Sequence, residues 1–135
     1  MHPSTLTVIA SLLFALALAS ASCSEDGEPS SCPAGEACTC EADCEQQCAD
    51  DRCVFACDQG ATCDFACPGG GCTVNCDSES DCSIRCPGGF CDVTCTSTAS
   101  CNILSCDEGL CTLDCNESTD CSSACTSAEG CVTEP

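Results

Sequence analysis

Cys63-Asp64-Phe65-Ala66-Cys67-Pro68-Gly69-Gly70-Gly71-Cys72-Thr73-Val74-Asn75-Cys76-Asp77-Ser78-Glu79-Ser80-Asp81 is one turn of a repeating chain. Its cysteines follow the order Cys-x3-Cys-x4-Cys-x3-Cys-x5. The same order runs through Cys44, Cys48, Cys53 and Cys57 before it and through Cys82, Cys86, Cys91 and Cys95 after it, each set 19 residues from the next. A fixed period of this size marks a stacked array, in which a single repeat is too small to bury its own core. Inside the repeat, the short gaps read Cys-x-apolar-x-Cys, a period of two that puts both cysteines and the apolar residue on one face of a strand. Phe55, Phe65, Val74, Ile84, Val93, Ile103 and Leu113 are the apolar centres. Turn segments such as Pro68 to Gly71, Pro87 to Phe90 and Asp77 to Asp81 separate the strands.

Each coil therefore reads as strand, tight turn, strand, longer turn. Stacked at the inter-strand spacing of about 4.8 Å, such coils make an all-β, disulfide-rich, two-sided β-solenoid of about five 19-residue coils. Its interior is thin, and cysteine suits it, because a disulfide brings Cα atoms to about 5.5 Å. The plan resembles the disulfide-ribbed solenoids of insect antifreeze proteins. The coil length of 19 and the lack of a regular Thr-x-Thr ladder depart from that family, and the outer columns read Asp64, Ser83, Asn102 and Thr73, Asp92, Thr112.

The 23 cysteines in 135 residues place the chain among disulfide scaffolds made in an oxidising compartment. Val8 to Ala19 is an apolar run followed by the small-x-small site Ala19-Ser20-Ala21, so residues 1–22 read as a removed signal peptide. Leu18-Ala19-Ser20-Ala21-Ser22-Cys23 resembles a bacterial lipoprotein signal, with Ser20 where a larger aliphatic residue is usual. That resemblance implies lipidation of Cys23, and parity agrees: without it, 22 cysteines remain to pair. Ordinary cleavage after Ala21, with Cys23 free or paired between chains, is the alternative. Residues 23–31 read as an acidic flexible tether, 32–43 as a Cys-rich N-terminal cap and 44–135 as the repeat domain.

Sequence leaves the connectivity open. The geometry of successive strands favours pairing across each turn: Cys48–Cys53, Cys57–Cys63, Cys67–Cys72, Cys76–Cys82, Cys86–Cys91, Cys95–Cys101, Cys106–Cys111, Cys115–Cys121 and Cys125–Cys131. Cys32, Cys38, Cys40 and Cys44 are left for two bridges in the cap. A rival scheme, with Cys44–Cys57 and Cys48–Cys53 nested within each coil, strands Cys121. One extra residue between Cys101 and Cys106 reads as a bulge. Gln46 and Ser123 replace apolar centres and read as polar outer rungs.

Charge limits function. The chain has 22 acidic residues, two arginines and no lysine, tryptophan or tyrosine. Nucleic-acid binding is disfavoured, because phosphate-neutralising charge and stacking platforms are both missing. A membrane enters only through a lipid on Cys23, and a protein partner is not specified. Thiolate metal storage of the metallothionein kind is the sharpest chemical rival, but the chain has one Cys-x-Cys and no Cys-x-x-Cys. Calcium suits carboxylates better, and Asp77, Glu79 and Asp81 are the candidate ligands, without the glycine and glutamate that complete a calcium loop. In the 19-residue register Asp43, Thr62, Asp81, Ser100 and Asp120 stack, with acids on alternate rungs. Catalysis finds no support: the one histidine, His2, leaves with the signal, and no serine has a base within a motif. The expected function is a non-enzymatic, secreted or surface-anchored structural, spacer or adhesion protein without cofactor. A calcium-dependent extracellular binding module is the alternative.

Overall fold

In the computed structural model, residues 29–116, 120–125 and 131–134 are described. The signal peptide, Cys23 and most of the tether lie outside them. Twelve strands follow one another: β1 (Ser30–Cys32), β2 (Ala37–Cys40), β3 (Cys44–Cys48), β4 (Val54–Cys57), β5 (Thr62–Ala66), β6 (Thr73–Cys76), β7 (Asp81–Arg85), β8 (Asp92–Cys95), β9 (Ser100–Ser105), β10 (Cys111–Asp114), β11 (Asp120–Ser123) and β12 (Cys131–Glu134). Odd strands form one parallel sheet and even strands the other, each in strict coil order. The fold is thus a two-sided parallel β-solenoid. Cys63 pairs in register with Cys82, Phe65 with Ile84, and Val74 with Val93, so equivalent positions of these coils stack directly on one another.

The interior follows from that register. Phe55, Phe65, Val74, Ile84, Val93, Ile103 and Leu113 are all fully buried, with the cysteines beside them. The rings of Phe55 and Phe65 stack with centroids 4.7 Å apart, at 13° to each other. Each such side chain contributes about 1.5 to 3 kcal/mol on burial. Bridges then close both edges. Cys32–Cys38, Cys48–Cys53, Cys67–Cys72, Cys86–Cys91, Cys106–Cys111 and Cys125–Cys131 line the short-turn edge. Cys40–Cys44, Cys57–Cys63, Cys76–Cys82, Cys95–Cys101 and Cys115–Cys121 line the long-turn edge. The bridges therefore cross the turns, and the nested scheme does not occur.

Three sequence expectations need correction. The stretch 32–43 is no separate cap, because β1 pairs with β3 and β2 with β4 in the same two sheets. Cys38 there aligns with Phe55, so a cysteine fills the apolar centre and the turn before it is shorter. The tether also ends earlier, since Ser30 and Ser31 are already strand. Finally, Gln46 is not an outer rung: Ser30 pairs above it, and Gln46 is 6% exposed with Oε1 lacking a partner. The bulge is where the spacing puts it. Arg85 pairs with Ser105 after Ile84 pairs with Ile103, which leaves Leu104 unmatched and 41% exposed.

Candidate functional site

On the long-turn edge, Ala61, Ser80 and Ala99 form a buried column of small residues that the sequence reading missed. The turn repeats the same bond each time, with Ala61 N donating to Asp58 O, Ser80 N to Asp77 O and Ala99 N to Thr96 O. Aligning the chain at period 19 was the signal available for this column. The candidate calcium ligands sit in and after one of these turns. Asp77 Oδ1 accepts from Ser78 N at 2.7 Å, and Glu79 Oε2 accepts from Gln59 Nε2 at 3.2 Å on the coil below. Glu79 has φ of 62°, and its N–H donates to Thr98 Oγ1. Asp81 lies on β7, in register with Thr62 and Ser100. Among the described residues Asp77, Glu79 and Asp81 do not converge on a common point, and the close groups of three potential ligand atoms are all cysteine sulfurs. Those sulfurs are committed to disulfides.

The outer face of the odd-strand sheet carries an ionic line. Arg85 Nη2 lies 2.9 Å from Asp64 Oδ1 and 3.5 Å from Glu45 Oε1, so one guanidinium on β7 spans carboxylates on β5 and β3. Burial, the larger cause, raises the Asp64 carboxyl above its ordinary value; Arg85 lowers it and Glu45 raises it. Beside this line runs a shallow groove of about 200 Å³ floored by Ala66, with Pro68 and Pro87 along it. Arg85→Ala leaves Asp64 and Glu45 stacked one strand spacing apart. We expect a loss of up to about 1 kcal/mol in urea unfolding, shrinking with added salt; an unchanged midpoint at low salt would remove Arg85 from any organising role.

The pH dependence has a definite sign. A carboxyl whose folded value is raised lends stability below its ordinary value near about pH 4 and loses it as pH climbs through the folded value. Asp64→Asn should therefore flatten the decline of the urea midpoint across the interval just above about pH 4. An identical slope in variant and parent would mean that Asp64 titrates as in the unfolded chain.

The short-turn edge is different in kind. The turns at Asp50 to Arg52, Pro68 to Gly71 and Pro87 to Phe90 stack in succession with backbone against backbone: Arg52 N donates to Gly70 O and Gly71 N to Gly89 O. Phe90, 67% exposed and at φ of 57°, lays its ring over Gly109, and Leu110 beside it is 43% exposed. Compared with family models, curated proteins and solved structures, the chain matches none. The architecture is a cysteine-rich repeat solenoid ribbed by disulfides along both edges, and disulfide bonding this extensive is typical of extracellular proteins.

Proposed function

We propose that this chain is a non-enzymatic, secreted or surface-anchored spacer, a short stiff rod that holds its outer faces at a fixed distance from the surface carrying it. The observation behind this reading is the double row of bridges. Each coil is closed on both edges, which limits the bending and twisting of a structure only two sheets thick. High negative charge, −20 over the chain, keeps such rods soluble and apart. The outward columns are mixed, with Asp64, Ser83 and Asn102 on one sheet and Thr73, Asp92 and Thr112 on the other. They offer a hydrated surface suited to spacing or weak adhesion. A lipid on Cys23 supplies the anchor in this reading, and residues 24–28 a short link to it.

Intact mass of the natively expressed protein, with and without reduction and alkylation, tests it. A mature chain beginning at Cys23 with acyl mass, gaining 22 protons on reduction, is the expected result. A chain with many free thiols or bound metal would overturn it. Thermal melting in a calcium titration separates the other reading: a melting point that climbs steadily with calcium would replace the spacer by a calcium-dependent binding module.

A further inference from the structure

The register that stacks the coils also stacks their sulfurs. Cys44 pairs with Cys63, Cys63 with Cys82 and Cys82 with Cys101 along the odd-strand sheet, while Cys40, Cys57, Cys76 and Cys95 align along the even one. Neighbouring strands of a sheet lie about 4.8 Å apart, inside the Cα window of roughly 4.4 to 6.8 Å that a disulfide accepts. The Cα spacing between coils therefore falls in the range that a disulfide accepts. The sulfurs are close enough to use that freedom: Sγ atoms of Cys40, Cys44 and Cys63 all lie within 4.8 Å of one another. Cys48 with Cys67 and Cys72, Cys67 with Cys86 and Cys91, and Cys76 and Cys82 with Cys101 form the same kind of group.

Access is uneven. Cys38, Cys44, Cys121, Cys125 and Cys131, toward the two ends, are partly exposed, whereas Cys57, Cys63, Cys76 and Cys82 are 1% exposed or less. A reductant meets the Cys40–Cys44 bridge near the N-terminal end before it meets those inside.

We propose that the N-terminal end of the long-turn edge is a thiol–disulfide exchange site, entered at Cys40–Cys44, at which the within-coil bridge Cys57–Cys63 converts to the between-coil bridge Cys44–Cys63 while the solenoid stays folded. A phosphine or dithiol supplies two electrons to the Cys40–Cys44 bond, leaving two thiols. The Cys44 thiol loses its proton, and the thiolate attacks Sγ of Cys63. The Cys44–Cys63 bond forms, the Cys57–Cys63 bond breaks, and Cys57 leaves as a thiolate that takes up a proton. Nothing is oxidised or reduced in this second step. Its effect is to move a thiol from an accessible position to a buried one and to staple two coils to each other.

Cys40→Ser, prepared otherwise oxidised and held at mildly alkaline pH, tests the step directly. After acid quench, denaturation and labelling with N-ethylmaleimide, peptide mapping should find roughly half of the free thiol on Cys57 together with a Cys44–Cys63 peptide. That share is expected because exchange between two similar disulfides has an equilibrium constant near one. Label confined to Cys44 overturns the proposal. The unmodified protein gives a check that needs no variant: after one equivalent of a water-soluble phosphine, label should appear on Cys40 paired with Cys57. Label found only on native bridge partners, or loss of the β-sheet circular dichroism as Cys57 becomes labelled, overturns it too.

Discussion

Complete reduction of the oxidised protein, without denaturant, is expected to abolish its β-sheet circular dichroism and expand it to the size of an unfolded chain. Every bridge in the structure closes a loop with a sequence separation of 4 to 6, and the chain-entropy model gives roughly 2 kcal/mol for loops that short. Eleven such terms are comparable to the burial of the seven apolar centres at about 1.5 to 3 kcal/mol each. The interior holds little else: besides the cysteines and those seven centres, the buried side chains among the described residues are Ala61, Ala99, Gln46 and Ser80. Repulsion within a chain of net charge −20 acts against the compact state as well. The measurement is far-UV circular dichroism with size-exclusion chromatography before and after excess phosphine. Persistence of the spectrum in the fully reduced chain would show that the parallel ladders and the apolar column suffice, and the bridges would lose their place as the main support.

The second large effect belongs to Gly89. It has φ of 71°, and a Cβ built there would overlap the carbonyl of Glu108 on the next coil. Gly89→Ala meets two obstacles together: the left-handed backbone, about 1 to 2 kcal/mol for a residue with Cβ, and forced separation of two coils, about 1 to 3 kcal/mol by analogy with overpacked cores. We expect a loss of about 2 to 5 kcal/mol in urea unfolding. Gly60→Ala is the control. Gly60 has a similar φ of 78° but nothing within 4 Å of the added atom, so it should lose about 1 to 2 kcal/mol only. Equal losses at the two sites would mean that coil contact at the Pro-Gly turns contributes nothing. The comparison isolates stacking from backbone conformation, because the two positions share the second and differ in the first.

The same two experiments mark how far the sequence could be read. Cys-x-apolar-x-Cys is legible because a strand alternates strictly and each cysteine sits two residues from an apolar centre. That pattern led to Phe55, Phe65, Val74, Ile84, Val93, Ile103 and Leu113 without coordinates, and all seven are buried. The spacing of 19 made the register unavoidable, since a slip of one residue turns the whole column outward. The bulge between Cys101 and Cys106 was legible for the same reason, since a single extra residue in a strict rhythm has nowhere to pair, but that Leu104 is the unmatched one came from the register. The N-terminal coil was not. Ser30 to Cys40 breaks the period and has no apolar centre, so only its pairing with β3 and β4 reveals that it continues the sheets and buries Gln46.

The candidate sites divide along the same line. Carboxylates at Asp77, Glu79 and Asp81 are visible in the sequence, but whether they meet depends on turn conformation, and the turn spends Asp77 on Ser78 N and Glu79 on Gln59. Arg85 could be seen as one of two cations, yet its partners Glu45 and Asp64 are 40 and 21 residues away and become neighbours only through stacking. By itself, then, the sequence determined the strands, the inward faces and the period, because these rest on alternation and repetition along the chain. Tertiary structure decided which sulfurs lie within reach of one another, which carboxylates share a cation and which glycines touch the next coil, because those are distances between coils and no local pattern encodes them.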